Sequence, residues 1–463
     1  MPNRFEQLRA AYPVFRYENY RVTREEDSLL LRFDFAIDGL GGFHPETRIF
    51  LGNLPLRNPL DSPVLRELVF SLGLVEAVSY WKCACPPRFI VACGGLAGED
   101  RAWWKRLWYH GLGEFFYRNG IKTDEEHFLA LECSAGASPP AFSYQEGGLS
   151  LIPVGGGKDS CVTLELLREA GRQLMGFTVN DQPARRQTFA AAGFPPEQML
   201  RVQRMIDPAL LRRNAEGFWN GHTPFSAVVA FLGLIGAYLI GAGELILSNE
   251  ASANEASVPG TDVNHQYSKS FAFERDMNDY IGRRFRLPIR YFSLLRPFHE
   301  LQIARQFAAL PQYHDVFRSC NAGSKQNVWC GSCAKCLFVA LMLAPFLPPD
   351  ALWRIFGADL LDAPQLREDL RGLLGQGETK PFECVGTIQE AQAALCLAKA
   401  SYRADGLPLP LLLRELEAPA MTETAALALL RERNPEHMVP AEFRECVERM
   451  GRRVGDDSFL LGK

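Results

Sequence analysis

Six consecutive residues, Gly155-Gly156-Gly157-Lys158-Asp159-Ser160, combine the side chains that phosphate chemistry requires. Glycines let a backbone approach a ligand without Cβ clashes, and free N–H groups at a helix N-terminus attract anions. The run follows the apolar stretch Leu149 to Val154 and opens an amphipathic run from Cys161 to Ala170, with Val162, Leu166 and Ala170 on one face and Gly171 as the stop. A strand, a glycine turn and a helix start are therefore expected. The backbone N–H groups of Gly156 to Ser160 and the Ser160 hydroxyl would hold phosphates, Lys158 would add charge, and Asp159 would bind Mg²⁺ directly or through water. The spacing is not G-x-x-x-x-G-K-[ST], because Asp159 separates Lys158 from Ser160. The plainer explanation is a tight turn with no ligand.

A second cluster is Cys320-x9-Cys330-x2-Cys333-x2-Cys336, four of the chain's twelve cysteines. Short C-x2-C steps let consecutive thiolates face one ion, and four sulfurs suit tetrahedral Zn²⁺ in a closed, structural site. An iron–sulfur cluster takes the same ligands, and buried free thiols are the plainer alternative.

These two clusters need a frame. Leu149 to Val154, Gln173 to Val179, Met199 to Met205, Glu244 to Ser248 and Ile289 to Leu294 read as strands separated by helix-length segments. Runs apolar on both faces, alternating with helices, predict an α/β region with a parallel five-stranded sheet over residues 141–345. Ligands in such sheets collect beyond the carboxyl ends of the strands, which makes Asn249 and Glu250 candidates directly after the fourth strand. Residues 1–140 read as an α+β domain, with strands at Leu29 to Ile37 and Thr47 to Leu51 around the turn Asp38 to Gly42. Its aromatic run Arg101 to Asn119 could stack bases, but packing against a sheet is the commoner explanation. Small residues and prolines from Ser134 to Pro140 read as a linker, and residues 346–463 as a helical region rich in Leu, Ala and Glu.

Across 463 residues, 47% apolar and 22% charged residues fit a globular chain of two or three domains. A net charge of -4 without a basic block argues against a nucleic-acid partner. Phe225 to Ser248 is nearly uncharged, yet Gly241-Ala242-Gly243 splits it into a helix and a strand, so no membrane insertion is expected. Charges near Met1 do not suit a signal peptide, so the expected location is the cytoplasm and the cysteines stay reduced.

The glycine loop resembles the SGGxDS pyrophosphate loop of the N-type ATP pyrophosphatases (PP-loop, HUP-like fold), with Gly155 where that family usually has serine. Together with the cysteine cluster it is similar to 7-cyano-7-deazaguanine synthase. The stretches Asn220 to Ser226, Leu247 to Glu255, Val263 to Ser270, Trp329-Cys330-Gly331 and Lys380 to Gly386 resemble the MurL family of UDP-N-acetylmuramoyl-L-alanyl-L-glutamate epimerases over most of the chain. The resemblance implies ATP-dependent epimerisation of the terminal L-Glu of UDP-MurNAc-L-Ala-L-Glu to D-Glu, through an acyl adenylate and with release of AMP and pyrophosphate, in peptidoglycan precursor synthesis. Adenylation removes the carboxylate charge that otherwise opposes an enolate, so an ordinary base can take the α-proton. Two other readings stay open: an adenylating ligase or nucleobase-modifying enzyme, and a nucleotide-binding scaffold with a degenerate loop.

Candidates for the acid/base work are His222, Glu250, Glu255, His265, Lys269 and Cys384, with Asn249 beside the nucleotide. For His222 the alternative is a turn-capping residue. Glu250 and Glu255 could equally be solvated loop carboxylates, His265 and Lys269 surface residues, and Cys384 a buried structural thiol. Arg185, Arg186 and Arg296 could clamp carboxylate or diphosphate groups, though exposed charges kept for solubility are the simpler expectation.

Overall fold

In the computed structural model, which describes residues 3–52, 54–136 and 142–456, one sheet of eleven strands runs through the protein. Residues 137–140 of the expected linker lie outside the described residues. The first part of the chain contributes α1 (Arg4–Ala11), β1 (Val14–Arg24), β2 (Ser28–Ile37), β3 (Gly41–Phe43), β4 (Glu46–Phe50), α2 (Pro63–Trp81), β5 (Arg88–Gly95), α3 (Gly98–Gly111), α4 (Gly113–Arg118) and β6 (Ala130–Ser134). The middle part contributes β7 (Ser150–Pro153), α5 (Lys158–Glu169), β8 (Leu174–Val179), α6 (Pro183–Ala191), β9 (Met199–Met205), α7 (Pro208–Ala215), α8 (Phe225–Ile240), β10 (Glu244–Leu247), α9 (Phe271–Tyr280), β11 (Arg290–Ser293), α10 (Glu300–Ala308) and α11 (Ala334–Leu343). The last part is helical: α12 (Pro349–Phe356), α13 (Arg367–Leu373), α14 (Ile388–Ala404), α15 (Leu411–Glu415), α16 (Glu423–Leu429) and α17 (Arg444–Val454).

The five expected middle strands are all present and parallel, in the order β11-β10-β7-β8-β9. They do not form a sheet of their own. β9 pairs antiparallel with β4, Glu46 opposite Met205 through Ile49 opposite Val202, and the sheet continues through β2, β1, β5 and β6. The five-stranded expectation is thereby corrected to one mixed α/β sheet. Of its extra strands, β2 and β4 are those expected at Leu29 to Ile37 and Thr47 to Leu51, whereas β1, β5 and β6 are ones the apolar pattern did not reveal.

Alternation along each strand sends neighbouring side chains to opposite faces. Leu151, Leu245 and Tyr291 enter one core with α2, α3 and α8, while Ile152, Ile246 and Phe292 enter the other with α5, α10, α11 and the C-terminal helices. Each face is covered because neither could remain wet with this composition. The seam between the two kinds of strand is also pinned electrostatically. Arg204 on β9 grips Glu76 on α2 through two 2.6 Å contacts, with Glu76 1% exposed.

The aromatic run is core. Trp103, Trp104 and Trp108 are buried, and their indole N–H groups donate to Asp276 O, Tyr280 Oη and Leu74 O. With their N–H groups spent and their rings inside, the three tryptophans offer no stacking surface. Phe225 to Ser248 folds as the sixteen-residue α8 followed by β10, and among the described residues no helix is long and apolar enough to cross a membrane. Gly241 closes α8 at φ +68°, where a Cβ would lie 2.2 Å from Gln145 O.

Candidate active site

The strand order turns around between β7 and β10, the position at which loops leaving the carboxyl ends diverge and open a crevice. A cleft of about 390 Å³ lies there. It is lined by Gly155, Gly157, Asp159 and Ser160 from the glycine loop, by Ser248, Asn249 and Glu250 after β10, and by Gln182, Arg185, Lys269, Arg318, Ser319, Cys320, Lys335 and Cys384 from farther along the chain. Arg185 Nε, Ser248 Oγ, Arg318 Nε and Ser319 Oγ are buried in it without a hydrogen-bond partner. Orphaned donors are expensive unless a ligand completes them, so their convergence marks a binding site.

The loop has the predicted strand–turn–helix form. Gly157 caps α5 in extended conformation with no side chain accepting from the first turn, so those N–H groups face the cleft side of the loop without a side-chain acceptor. Gly156 sits at φ +82°, with space for a Cβ only 3.2 Å from Ala184 and the Arg185 N–H. Around Gly155, by contrast, a Cβ would meet nothing within 4 Å.

Lys158 does not follow the expectation of a phosphate contact. Its side chain is 2% exposed and is ion-paired with Asp159 and with Glu300 on α10, a residue no local pattern singled out. Burial works against charge at all three groups. The Lys158 ammonium and the more distant Lys335 and Lys269 nevertheless hold Asp159 below the usual carboxylate range, while burial pushes Glu300 up. Asp159 is thus kept ionised at the cleft wall.

A second constellation forms around Cys384. Lys269 Nζ lies 3.1 Å from its sulfur, the His265 charge acts on the same thiol, and Lys335 donates to the Cys384 carbonyl. His265 Nδ1 lies 2.5 Å from Glu114 Oε2, and Glu114 lies 3.4 Å from His222 Nδ1. Burial alone would raise a thiol, but Lys269 and His265 overcome it and draw Cys384 down to about 6. Burial likewise pulls His265 down, and Cys384 and Glu114 reverse this to about 9. At neutral pH the pair is thiolate and imidazolium. His222, dominated by burial and the neighbouring His265 charge, falls to about 4 and stays neutral.

Glu114 belongs to α4, whose Arg118 and Tyr117 pack on Phe382, two residues before Cys384. The first part of the chain therefore reaches the site through one short helix. The other candidates lie apart. Glu255 pairs with Lys380 at 2.6 Å and accepts from the Ile388 N–H, outside the residues lining the cleft. Arg186 is bound to Asp181. Arg296 is corrected from exposed to 0% exposed: it pairs with Glu274 at 2.9 Å and donates to Glu250 O and Lys269 O, both 2.6 Å, so it fixes two cleft loops rather than a ligand.

The four knuckle cysteines converge. Their sulfurs all lie within 4.8 Å of one another, with Cys320–Cys333 at 4.0 Å, Cys330–Cys336 at 3.7 Å and Cys333–Cys336 at 3.5 Å. Sulfurs about 2.3 Å from one tetrahedral Zn²⁺ lie roughly 3.8 Å apart, so the set fits that ion. The knuckle also braces the glycine loop, through Arg318 N–H to Gly156 O at 2.7 Å and Ala184 N–H to Asn327 Oδ1 at 3.0 Å.

Comparison with known proteins agrees with this geometry. The MurL N-terminal domain matches residues 6–294 and the MurL C-terminal domain residues 316–427. The UDP-N-acetyl-alpha-D-muramoyl-L-alanyl-L-glutamate epimerase of Xanthomonas oryzae pv. oryzae is 36% identical over 397 residues, 84% of this chain and 87% of its own. Epimerases of the same name from Micromonospora sp. and Salinispora tropica are 38% and 37% identical over 408 residues, covering 86% of this chain and 88% and 86% of theirs. No solved structure matches the chain. Two domain matches that together take in both the glycine loop and the cysteine knuckle, and full-length relatives above one-third identity, place this chain in the MurL family.

Proposed function

We propose that the protein inverts the terminal L-Glu of UDP-MurNAc-L-Ala-L-Glu to D-Glu at the expense of ATP, a step in peptidoglycan precursor synthesis. The observation that carries this reading is that one cleft combines a phosphate-type glycine loop, an ionised Asp159 and an ionised Cys384. When bound, ATP with Mg²⁺ held by Asp159 would supply the activation of the α-carboxylate as an acyl adenylate. The chain's own groups do the rest. The loop N–H groups, Ser160, Arg185, Arg318 and Ser319 bind phosphate oxygens, and Asn249 contacts the nucleotide. Asp159 holds Mg²⁺, while Lys335 and Lys269 offset negative charge as pyrophosphate departs. Proton transfer at Cα falls to Glu250 and to the Cys384–His265 pair, with His222 behind Glu114. Cys320, Cys330, Cys333 and Cys336 hold a structural Zn²⁺.

A core of PP-loop pyrophosphatase type is part of this reading, supported by the parallel order β11-β10-β7-β8-β9 and the loop after β7. Incubation with ATP, Mg²⁺ and the UDP-MurNAc-dipeptide should yield AMP in step with D-Glu after hydrolysis of the product. AMP release without D-Glu would sink the proposal. Metal analysis should find about one zinc per chain, and dialysis against a chelator should lower the melting temperature, since a structural metal contributes its binding energy to folding.

A further inference from the structure

The Cys384–His265–Glu114 array is more specific than an acid/base pair. An epimerase working with two bases needs them on opposite faces of the substrate carbon, with that carbon between them. Lys269 Nζ is 3.1 Å from the Cys384 sulfur, too close for a carbon to fit between them, and the His265 charge acts on the same thiol. They form one unit on one side of the cleft. Its parts are those of an activated nucleophile: a thiol, a lysine at 3.1 Å and an imidazole whose charges act on it, and a carboxylate that orients the ring, His265 Nδ1 being 2.5 Å from Glu114.

Basicity points the same way. A thiolate with a depressed pKa is a weak base toward an α-proton, whereas attack on an acyl phosphate depends on the fraction ionised and only partly on basicity. The sulfur lines the same cleft as Gly155, Asp159 and Ser160, where an adenylate would form.

We propose that Cys384 takes the glutamyl group from the adenylate as a thioester and that epimerisation runs on this thioester, Glu114 being the positioning residue for His265. This rests on the ATP-dependent reading above. In the first step the Sγ–carbonyl bond forms as the bond from the carbonyl carbon to the AMP oxygen breaks, and AMP leaves with the electron pair. The thioester carries no charge, so the carbanion at Cα is delocalised onto its carbonyl oxygen. Glu250, which lines the cleft and is not part of the array, takes the α-proton. His265, no longer facing a thiolate, holds a proton it can return from the other side. Water then attacks the carbonyl, the C–S bond breaks, and the thiolate is restored beside Lys269.

The test uses the full chain with ATP, Mg²⁺ and UDP-MurNAc-L-Ala-L-Glu under single-turnover conditions, quenched in acid. Intact-mass analysis should show an adduct of substrate minus water, removed by neutral hydroxylamine and mapped to Cys384. Cys384→Ser should replace it by a hydroxylamine-resistant ester and lower D-Glu formation at least 10³-fold. Glu114→Gln should slow adduct formation about twofold at pH 7 and nearly 10-fold at about pH 5, moving its pH midpoint upward, an effect that loss of packing alone does not produce. Pyrophosphate release with no adduct, or Cys384→Ser turnover within 10-fold of the parent, overturns the thioester. Absence of pyrophosphate release from the parent protein overturns the adenylation reading itself.

Discussion

Strands β7 to β11 run parallel, so all their ligand-edge loops emerge on one side, and those after β7, β8 and β10 line the cleft. Strands β1, β2 and β4 run antiparallel, so their connections alternate between the two edges, and no residue before Pro153 is among those lining the cleft. The first part of the chain still matters chemically, because α4, in the crossover between the parallel pair β5 and β6, delivers Glu114 to His265. One part of the sheet builds the pocket and the other tunes a side chain at its rim. This division holds only if the seam makes both parts move as one body.

Breaking the seam should have the largest effect. Glu76→Ala leaves the Arg204 guanidinium 10% exposed and without its carboxylate, a loss of about 3–5 kcal/mol for a buried pair stripped of one member. Urea unfolding followed by far-UV circular dichroism and by tryptophan fluorescence should give one coincident transition in the parent and in this variant, shifted to lower urea in the latter. Two separated transitions would mean that the parts fold independently.

The same contrast explains what the sequence disclosed. Most of the parallel strands were legible because they are short apolar runs buried on both faces, β9 by its alternation of Leu200 and Val202 with exposed Arg201 and Gln203, and the glycine loop and cysteine knuckle because their parts are neighbours in the chain. β1 was not, for a physical reason. It carries Arg16, Glu18, Asn19 and Arg21, and its register shifts between Tyr17 and Asn19, which breaks the period-two pattern a strand is recognised by. Glu114 stayed hidden because its partner His265 is 151 positions away. Local spacing also could not say which way Lys158 turns, since Glu300, the residue that captures it, lies 142 positions later. Arg296 looked exposed for the same reason: Glu274, which buries it, is on another element.

Within the parallel part, Asp159→Ala should reduce AMP release by about 10²–10³-fold, the range for losing one group that stabilises developing charge. Lys158 keeps Glu300, so melting should stay near that of the parent protein. Unchanged AMP release would take the loop out of the reaction.

For the first part of the chain, which supplies Glu114, the readout is the pH at which Cys384 becomes reactive. Its pKa is lowered to about 6 because Lys269 and His265 outweigh burial. Alkylation by iodoacetamide should therefore rise with pH around a midpoint near 6, instead of near the ordinary thiol value. Glu114→Gln removes one of the two groups that raise His265, so the imidazolium is lost at lower pH and the thiolate with it. The midpoint should move up by about one unit, equivalent to about 1.4 kcal/mol. A midpoint that stays put would confine Glu114 to packing.

The smallest effect separates two adjacent glycines. Gly156 needs its left-handed φ of +82° and has backbone 3.2 Å from where a Cβ would stand, so Gly156→Ala should cost about 1–2 kcal/mol from the conformation alone. Gly155 faces open space, so the side chain usual in the pyrophosphatase loop is not excluded by sterics. Gly155→Ser should change stability by less than about 0.5 kcal/mol, the usual range for a site with no buried partner. Its KM for ATP decides what the missing hydroxyl means. A lower KM would show that phosphate contacts in this cleft are incomplete without it. An unchanged KM is expected here, because Arg318 Nε and Ser319 Oγ already provide unpaired donors beside the loop, where Arg318 N–H donates to Gly156 O.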